Sequence, residues 1–162
     1  MQKKIYLAGG CFWGVEAYFS RLDGITETTV GYANGDENRF ADPTYKQVCN
    51  ENTGYAETVE VVYDPQNIDL ETILGHFFLI IDPTTLNRQA NDTGSQYRSG
   101  IYYSDIEDLP VIKKVIELQQ RLYPRPIVTE VEKLKNFFPA EDYHQDYLKH
   151  NPQGYCHIKL PD

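Results

Sequence analysis

Basic residues are in short supply: 15 Lys and Arg face 24 Asp and Glu, a formal net charge of −9 over 162 residues. A surface of that sign repels phosphate backbones and anionic headgroups, so neither nucleic acid nor a membrane surface is an expected partner. No stretch approaches the roughly 18 consecutive apolar residues of a membrane span. Met1-Gln2-Lys3-Lys4 passes at once into a strand-like run, leaving no room for a signal or transit peptide, and a cytoplasmic location is the expectation. Cysteine is scarce too. Cys11, Cys49 and Cys156 are an odd set with no CxxC pair, which argues against a disulfide framework and for a redox or nucleophilic thiol. There is one tryptophan against 13 tyrosines, and ring faces with hydroxyl tips suit a site that mixes apolar contact with hydrogen bonding. The length fits one domain, residues 1–162, with a sizeable core.

The chain is organised around Gly9-Gly10-Cys11-Phe12-Trp13-Gly14. A strand over Lys3–Ala8 meets two glycines, and Val15, Tyr18, Phe19 and Leu22 then recur at helical spacing. Cys11 therefore falls at a helix N-terminus, where unpaired N–H groups and the helix dipole stabilise anions. A thiol so placed can have its pKa lowered from about 8.5 to roughly 3.5–7.5. A buried structural thiol beside core aromatics is the alternative, and the glycine-flanked helix start favours the reactive one. Ile25–Ala33 reads as a strand, and a short helical turn is expected near Tyr45–Cys49. Ala56–Tyr63 alternates with period two. Glu57 shares a face with Val59, Val61 and Tyr63, whereas Glu60 lies on the other and is expected to be solvated. A carboxyl on the core side has a raised pKa and suits a proton donor near neutrality; an edge glutamate reaching water is the alternative.

Asp69 is a candidate N-cap for a helix with the stripe Leu70, Ile73, Leu74, Phe77 and Ile81, ended by Asp82-Pro83. Residues 84–98 are polar and aperiodic, and such a stretch inside a compact domain is more often functional than idle. A strand over Ser99–Tyr103 is followed by a helix with the stripe Val111, Val115, Leu118 and Leu122, for which Ser104 and Glu107 can form a capping box. Pro126–Val131 is a last candidate strand, and the remainder reads as an irregular tail with one or two helical turns over Asp142–Leu148. The order β-α-β-β-α-β-α-β predicts an α+β two-layer sandwich, a mixed sheet with helices in a ferredoxin-like split βαβ core, plus a long irregular C-terminal tail.

Several stretches resemble one family in the same order: Gly10-Cys11-Phe12-Trp13-Gly14, Pro43-Thr44-Tyr45, Gly54-Tyr55-Ala56-Glu57, Asp82-Pro83-Thr84, Asn87-Arg88-Gln89, Asn91-Asp92, Gln96-Tyr97-Arg98-Ser99, Tyr143-His144-Gln145 and Gly154-Tyr155-Cys156. By these the chain resembles the peptide methionine sulfoxide reductase A family over nearly its whole length. The resemblance implies a thiol-dependent reductase of the S epimer of methionine sulfoxide that needs no cofactor and no metal. It implies that Cys11 attacks the sulfoxide sulfur, that Phe12 and Trp13 receive the substrate methyl group, and that Glu57 protonates the oxygen. Tyr45 and Tyr97 would hydrogen-bond that oxygen, Asp92 would order the polar side, and Cys156 would resolve the sulfenic acid as a disulfide opened by thioredoxin. Chemically, a sulfoxide oxygen leaves poorly unless protonated, and a methyl sulfoxide has one apolar and one polar end.

The chain departs from the family at Tyr55 and Ile81, where His is usual, and at Ala90, where Gly is usual; some members carry a further cysteine beyond the position of Cys156, and this sequence does not. Two rival readings are a cysteine hydrolase with His144 as base and a metal-binding module built from Cys11, Cys156, His144 and His157; the latter spacing fits no compact zinc pattern. Cys49 is expected to be a non-catalytic thiol, His144 a structural hydrogen-bonding residue, and His76 a solvated one.

Overall fold

The computed structural model describes residues 1–50 and 52–160. Runs of β-branched and aromatic residues form the strands β1 (Lys3–Gly9), β2 (Ile25–Ala33), β3 (Ala56–Tyr63) and β6 (Ser99–Tyr103). With β7 (Glu130–Lys133) and β8 (Phe137–Pro139) they make a sheet of order β7-β6-β1-β3-β2-β8. Every neighbouring pair is antiparallel except β6 and β7. The helices are α1 (Phe12–Phe19), α2 (Tyr45–Asn50), α3 (Leu70–Ile80), α4 (Leu109–Gln120) and α5 (Tyr147–His150). The class is α+β with a mixed sheet, as expected.

One sheet face presents Ile5, Leu7, Val59 and Val61 to Phe12, Val15 and Phe19 of α1, Ile73, Leu74 and Phe77 of α3, and Ile112 and Val115 of α4. Losing a ring such as Phe77, which is wholly buried, would cost about 3–5 kcal/mol. The opposite face carries Tyr6, Ala8, Ala33, Ala56 and Tyr102, covered by Leu134 and Phe137. Asp69 caps α3 by accepting from the Thr72 N–H at 2.8 Å.

Several expectations change. The buried stripe of α4 is Ile112 and Val115, while Leu118 and Leu122 are exposed, because the helix starts at Leu109-Pro110 and its apolar residues spread around more than one face. The Ser104–Glu107 capping box does not form, since Asp105 accepts the Glu107 N–H at 2.9 Å and heads a 3-10 turn over Ile106–Asp108. The strand expected over Pro126–Val131 begins only at Glu130: the Ile127 N–H goes to Gln120 Oε1 and the Val128 N–H to the Pro83 carbonyl. Phe137–Pro139, read as tail, pairs with β2. Glu60 is half-buried and accepts from the Tyr6 hydroxyl, and His76 is paired with Tyr18 at 2.7 Å. Within 84–98, β4 (Arg88–Gln89) and β5 (Asp92–Thr93) form a hairpin turned by Ala90-Asn91, and a 3-10 turn spans Ser95–Tyr97.

Candidate active site

The strand-to-helix turn depends on Gly10. Its φ is +88°, and a Cβ there would stand 2.7 Å from the Cβ of Gln89, so no other side chain fits without displacing the hairpin. Cys11 follows as the residue before α1, its side chain capping nothing and 7% exposed. The expectation of a lowered thiol pKa is overturned. Burial, then the charge of Glu57, hold the Cys11 thiol well above its ordinary value, with Asp92 adding to the effect. The Trp13 and Gly14 backbone N–H groups pull the other way and do not prevail. Desolvation outweighs the field of a helix of eight residues.

Glu57 comes from the start of β3, paired with Tyr32 of β2, and is 1% exposed. The Phe12 N–H donates to its Oε1 at 3.1 Å, and Oε2 meets no hydrogen-bond partner among the described residues. Burial, with a smaller push from Asp92 and against the Phe12 N–H, raises its pKa to about 8. At neutral pH the carboxyl therefore holds its proton.

On the apolar side the Phe12 ring lies 5.8 Å from Tyr32 and 6.3 Å from Tyr45. The Trp13 indole is stacked on Tyr147 at 3.9 Å and 10° and donates its Nε1–H to His144 Nδ1 at 3.0 Å. Tyr45 on α2 and Tyr97 on the 3-10 turn are half-buried, and burial followed by the Glu57 charge raises both phenols, so they stay protonated donors. The Tyr45 N–H and the Tyr32 hydroxyl both donate to Glu141, which ties α2 to the C-terminal segment. Sequence reasoning missed Glu141. Cys49, expected to be a non-catalytic thiol, brings its sulfur within interaction range of Tyr45 and Tyr97.

The C-terminal segment closes the third side. Cys156 Sγ donates to the Ile158 carbonyl at 3.1 Å and lies 3.2 Å from where a Cβ on Gly14 would stand, one turn into the helix that Cys11 begins. Asp92, delivered by the β4–β5 hairpin, has a buried Oδ2 without a partner among the described residues, and the Tyr155 hydroxyl interacts with it. All three thiols are free. The structure thus gathers Cys11, Phe12, Trp13, Tyr45, Glu57, Asp92, Tyr97 and Cys156 around one turn.

Neither rival reading is favoured. His144 Nδ1 is occupied by the Trp13 indole, and burial lowers its pKa. Among the described residues no three His, Cys, Asp or Glu side chains are grouped to hold a metal ion. Of the departures, Tyr55 is buried with its hydroxyl on the Phe40 carbonyl at 2.6 Å, Ile81 packs by Gly9, and Ala90 sits at φ +52°.

The family model described as peptide methionine sulfoxide reductase matches residues 3–162. The peptide methionine sulfoxide reductase MsrA of Alkaliphilus metalliredigens (strain QYMF) is 57% identical, over 98% of each chain. The reduced form of Mxr1 from Saccharomyces cerevisiae superposes with a TM-score of 0.93 at 44% identity, covering 99% of this chain and 93% of that one. Mxr1 in complex with Trx2 gives 0.66 at 32% identity, with 99% and 91% covered. With its thiol turn, buried carboxyl and aromatic wall in place, and with sequence and fold shared end to end, the chain belongs to the peptide methionine sulfoxide reductase family.

Proposed function

We propose that this single domain reduces the S epimer of methionine sulfoxide, in proteins and as the free amino acid, and is recycled by thioredoxin. The observation that carries the reading is Glu57: a buried carboxyl that keeps its proton at neutral pH, hydrogen-bonded to the residue that follows Cys11. A charge on Glu57 disfavours ionisation of Cys11, so the protonated acid stands beside a neutral thiol. Proton transfer from Glu57 to the sulfoxide oxygen makes the sulfur electrophilic, and the same transfer creates the carboxylate that accepts the thiol proton of Cys11. The Cys11 sulfur bonds to the sulfoxide sulfur, the oxygen passes to Cys11, and methionine leaves with Cys11 as a sulfenic acid. Electrons balance: the substrate sulfur gains two and Cys11 loses two.

Phe12 and Trp13 would flank the methyl group, with Tyr45, Tyr97 and Asp92 on the oxygen side. Three different substituents and a lone pair on sulfur let such a two-sided pocket choose one epimer. Cys156 then gives its sulfur to the sulfenic acid, water departs, and the Cys11–Cys156 disulfide is opened by the dithiol of thioredoxin. The packing of Cys156 on Gly14 supports its part. No helix among the described residues is long and apolar enough to cross a membrane, in keeping with work in the cytoplasm. For the fold, the order β6-β1-β3-β2 supports a ferredoxin-like split βαβ core, followed by a C-terminal tail.

The test is to incubate reduced protein with each sulfoxide epimer and quantify methionine. Activity should be confined to the S epimer and absent in Cys11→Ser; equal turnover of both epimers, or an active Cys11→Ser, overturns the reading.

A further inference from the structure

Glu16 is a buried carboxyl that the proposed chemistry does not use. It projects from α1, is 1% exposed, and has no basic partner among its hydrogen bonds. Oε2 accepts from the Thr28 hydroxyl of β2 at 3.0 Å, and Oε1 accepts from the Asp146 backbone N–H at 2.7 Å. We propose that Glu16 is a positioning residue: it bridges β2 to the Asp146 backbone and so holds His144 and Tyr147 against the edge and the face of Trp13.

Three observations carry this. First, Asp146 has φ +52°, a left-handed conformation that a residue with a Cβ does not favour, and its N–H is the one Glu16 binds. Second, the residues on either side of that point are the ones that fix the indole. His144 accepts the Trp13 Nε1–H at 3.0 Å, and Tyr147 stacks on the ring at 3.9 Å. Third, the other anchors of the segment lie upstream. Gln145 bonds the Val30 N–H and carbonyl from the sheet, and Glu141 bonds Tyr32 and Tyr45. Among the described residues Glu16 supplies the side-chain hydrogen bond that ties the Asp146 backbone to α1, next to the packing of Leu148 and Tyr147. A carboxyl in this position is costly to bury, and an apolar residue of the same volume would pack as well without making the bridge.

The consequence for catalysis rests on the proposed function, in which Trp13 forms part of the wall for the substrate methyl group. With the bridge removed, the wall loosens while Cys11 and Glu57 keep their places, so binding suffers more than chemistry. Trp13 is the sole tryptophan, so its emission reports this one position.

The experiment compares Glu16→Met, which keeps the bulk and removes both bonds, with Glu16→Gln, which keeps an acceptor for the Asp146 N–H. Glu16→Met should red-shift the tryptophan emission, raise its quenching by acrylamide, and raise KM for methionine sulfoxide about tenfold, less than the hundredfold of a full 1 Å misplacement. Its kcat should stay within about twofold. Glu16→Gln should restore emission and KM. Parent emission and KM in a folded Glu16→Met, or a Glu16→Gln as impaired as Glu16→Met, overturn the proposal. Should Glu16→Met fail to fold, Thr28→Val decides the matter: a smaller shift in the same direction supports the bridge, and unchanged emission and KM overturn it. A parent protein inactive on both epimers would refute the function, and the emission comparison would still settle the positioning role.

Discussion

The backbone N–H of Phe12 donates to Glu57 Oε1 at 3.1 Å, joining residues 45 apart in sequence. That bond places a carboxylic acid beside the thiol and fixes its orientation through a backbone group rather than a mobile side chain. Opposed to it stand burial and Asp92, which together keep the proton on Glu57 up to about pH 8.

Glu57→Gln should slow the chemical step on the order of 10²–10⁴-fold, the usual range for acid–base assistance, with KM little changed. In the parent, the rate of that step should fall as pH rises through about 8, because the protonated carboxyl is lost. The amide cannot titrate, so the variant should lack this limb. Glu60→Gln, on a residue bonded to Tyr6, is the control and should leave the rate unchanged. Stopped-flow measurement of methionine formation across pH checks all three.

Cys156→Ser should release about one methionine per enzyme and then stall with thioredoxin as the only reductant, since the sulfenic acid has lost its resolving thiol. Cys49→Ser should cycle normally. Peptide mapping of the oxidised enzyme should find Cys11 joined to Cys156; a Cys11–Cys49 link would reverse the assignment. The nearness of Cys49 to Tyr45 and Tyr97 makes this comparison sharper than its place in the sequence suggested.

Stability should decline from mildly acid to mildly alkaline pH. Glu16 and Glu57 bind their protons more tightly in the folded chain, at about 7 and about 8 against the ordinary 4.5. Between the ordinary value and these, the folded state holds more protons than the unfolded one, so each added pH unit favours unfolding. Asp69, Asp82 and Glu141, held below their ordinary values, act in the opposite sense at lower pH, and His144 and His157, lowered by burial from 6.5, oppose the decline below that pH. A Glu16→Gln, Glu57→Gln double variant should flatten the decline in Tm between about pH 5 and pH 8.

Ala90→Gly should stabilise the protein by about 1 kcal/mol, because alanine at φ +52° bears a steric penalty that glycine escapes. The side chain is exposed, so no packing is lost. An upward shift in the urea midpoint with an unchanged m-value would register it; no shift would mean that the hairpin relaxes around the alanine.

A run rich in Thr, Val and Ile was enough to place β2, and period-two alternation placed β3; the face assignment of Glu57 followed from the latter, because a strand turns successive side chains to opposite sides whatever its partners. The elements of two or three residues, β4, β5 and β8, carry too short a pattern to be read; pairing with distant chain creates them. The direction of the Cys11 pKa shift was misread, since helix position is local whereas burial depends on the Glu57 strand and the C-terminal segment. Glu16 was missed although its spacing marked it: four residues after Phe12 and three before Phe19, it had to share their buried side. Leu118 and Leu122 misled in the opposite direction, being apolar residues on an exposed face.

Cys11 stands near one end of the chain and Cys156 near the other, yet the second packs on the helix that the first begins. Joining their sulfurs turns almost the whole polypeptide into a closed ring. A ring of such size loses much of its freedom when unfolded, worth about 4–5 kcal/mol in the chain-entropy picture. The enzyme awaiting its reductant would then be its own most durable form, hardest to melt or digest when oxidant is abundant and reducing power is short.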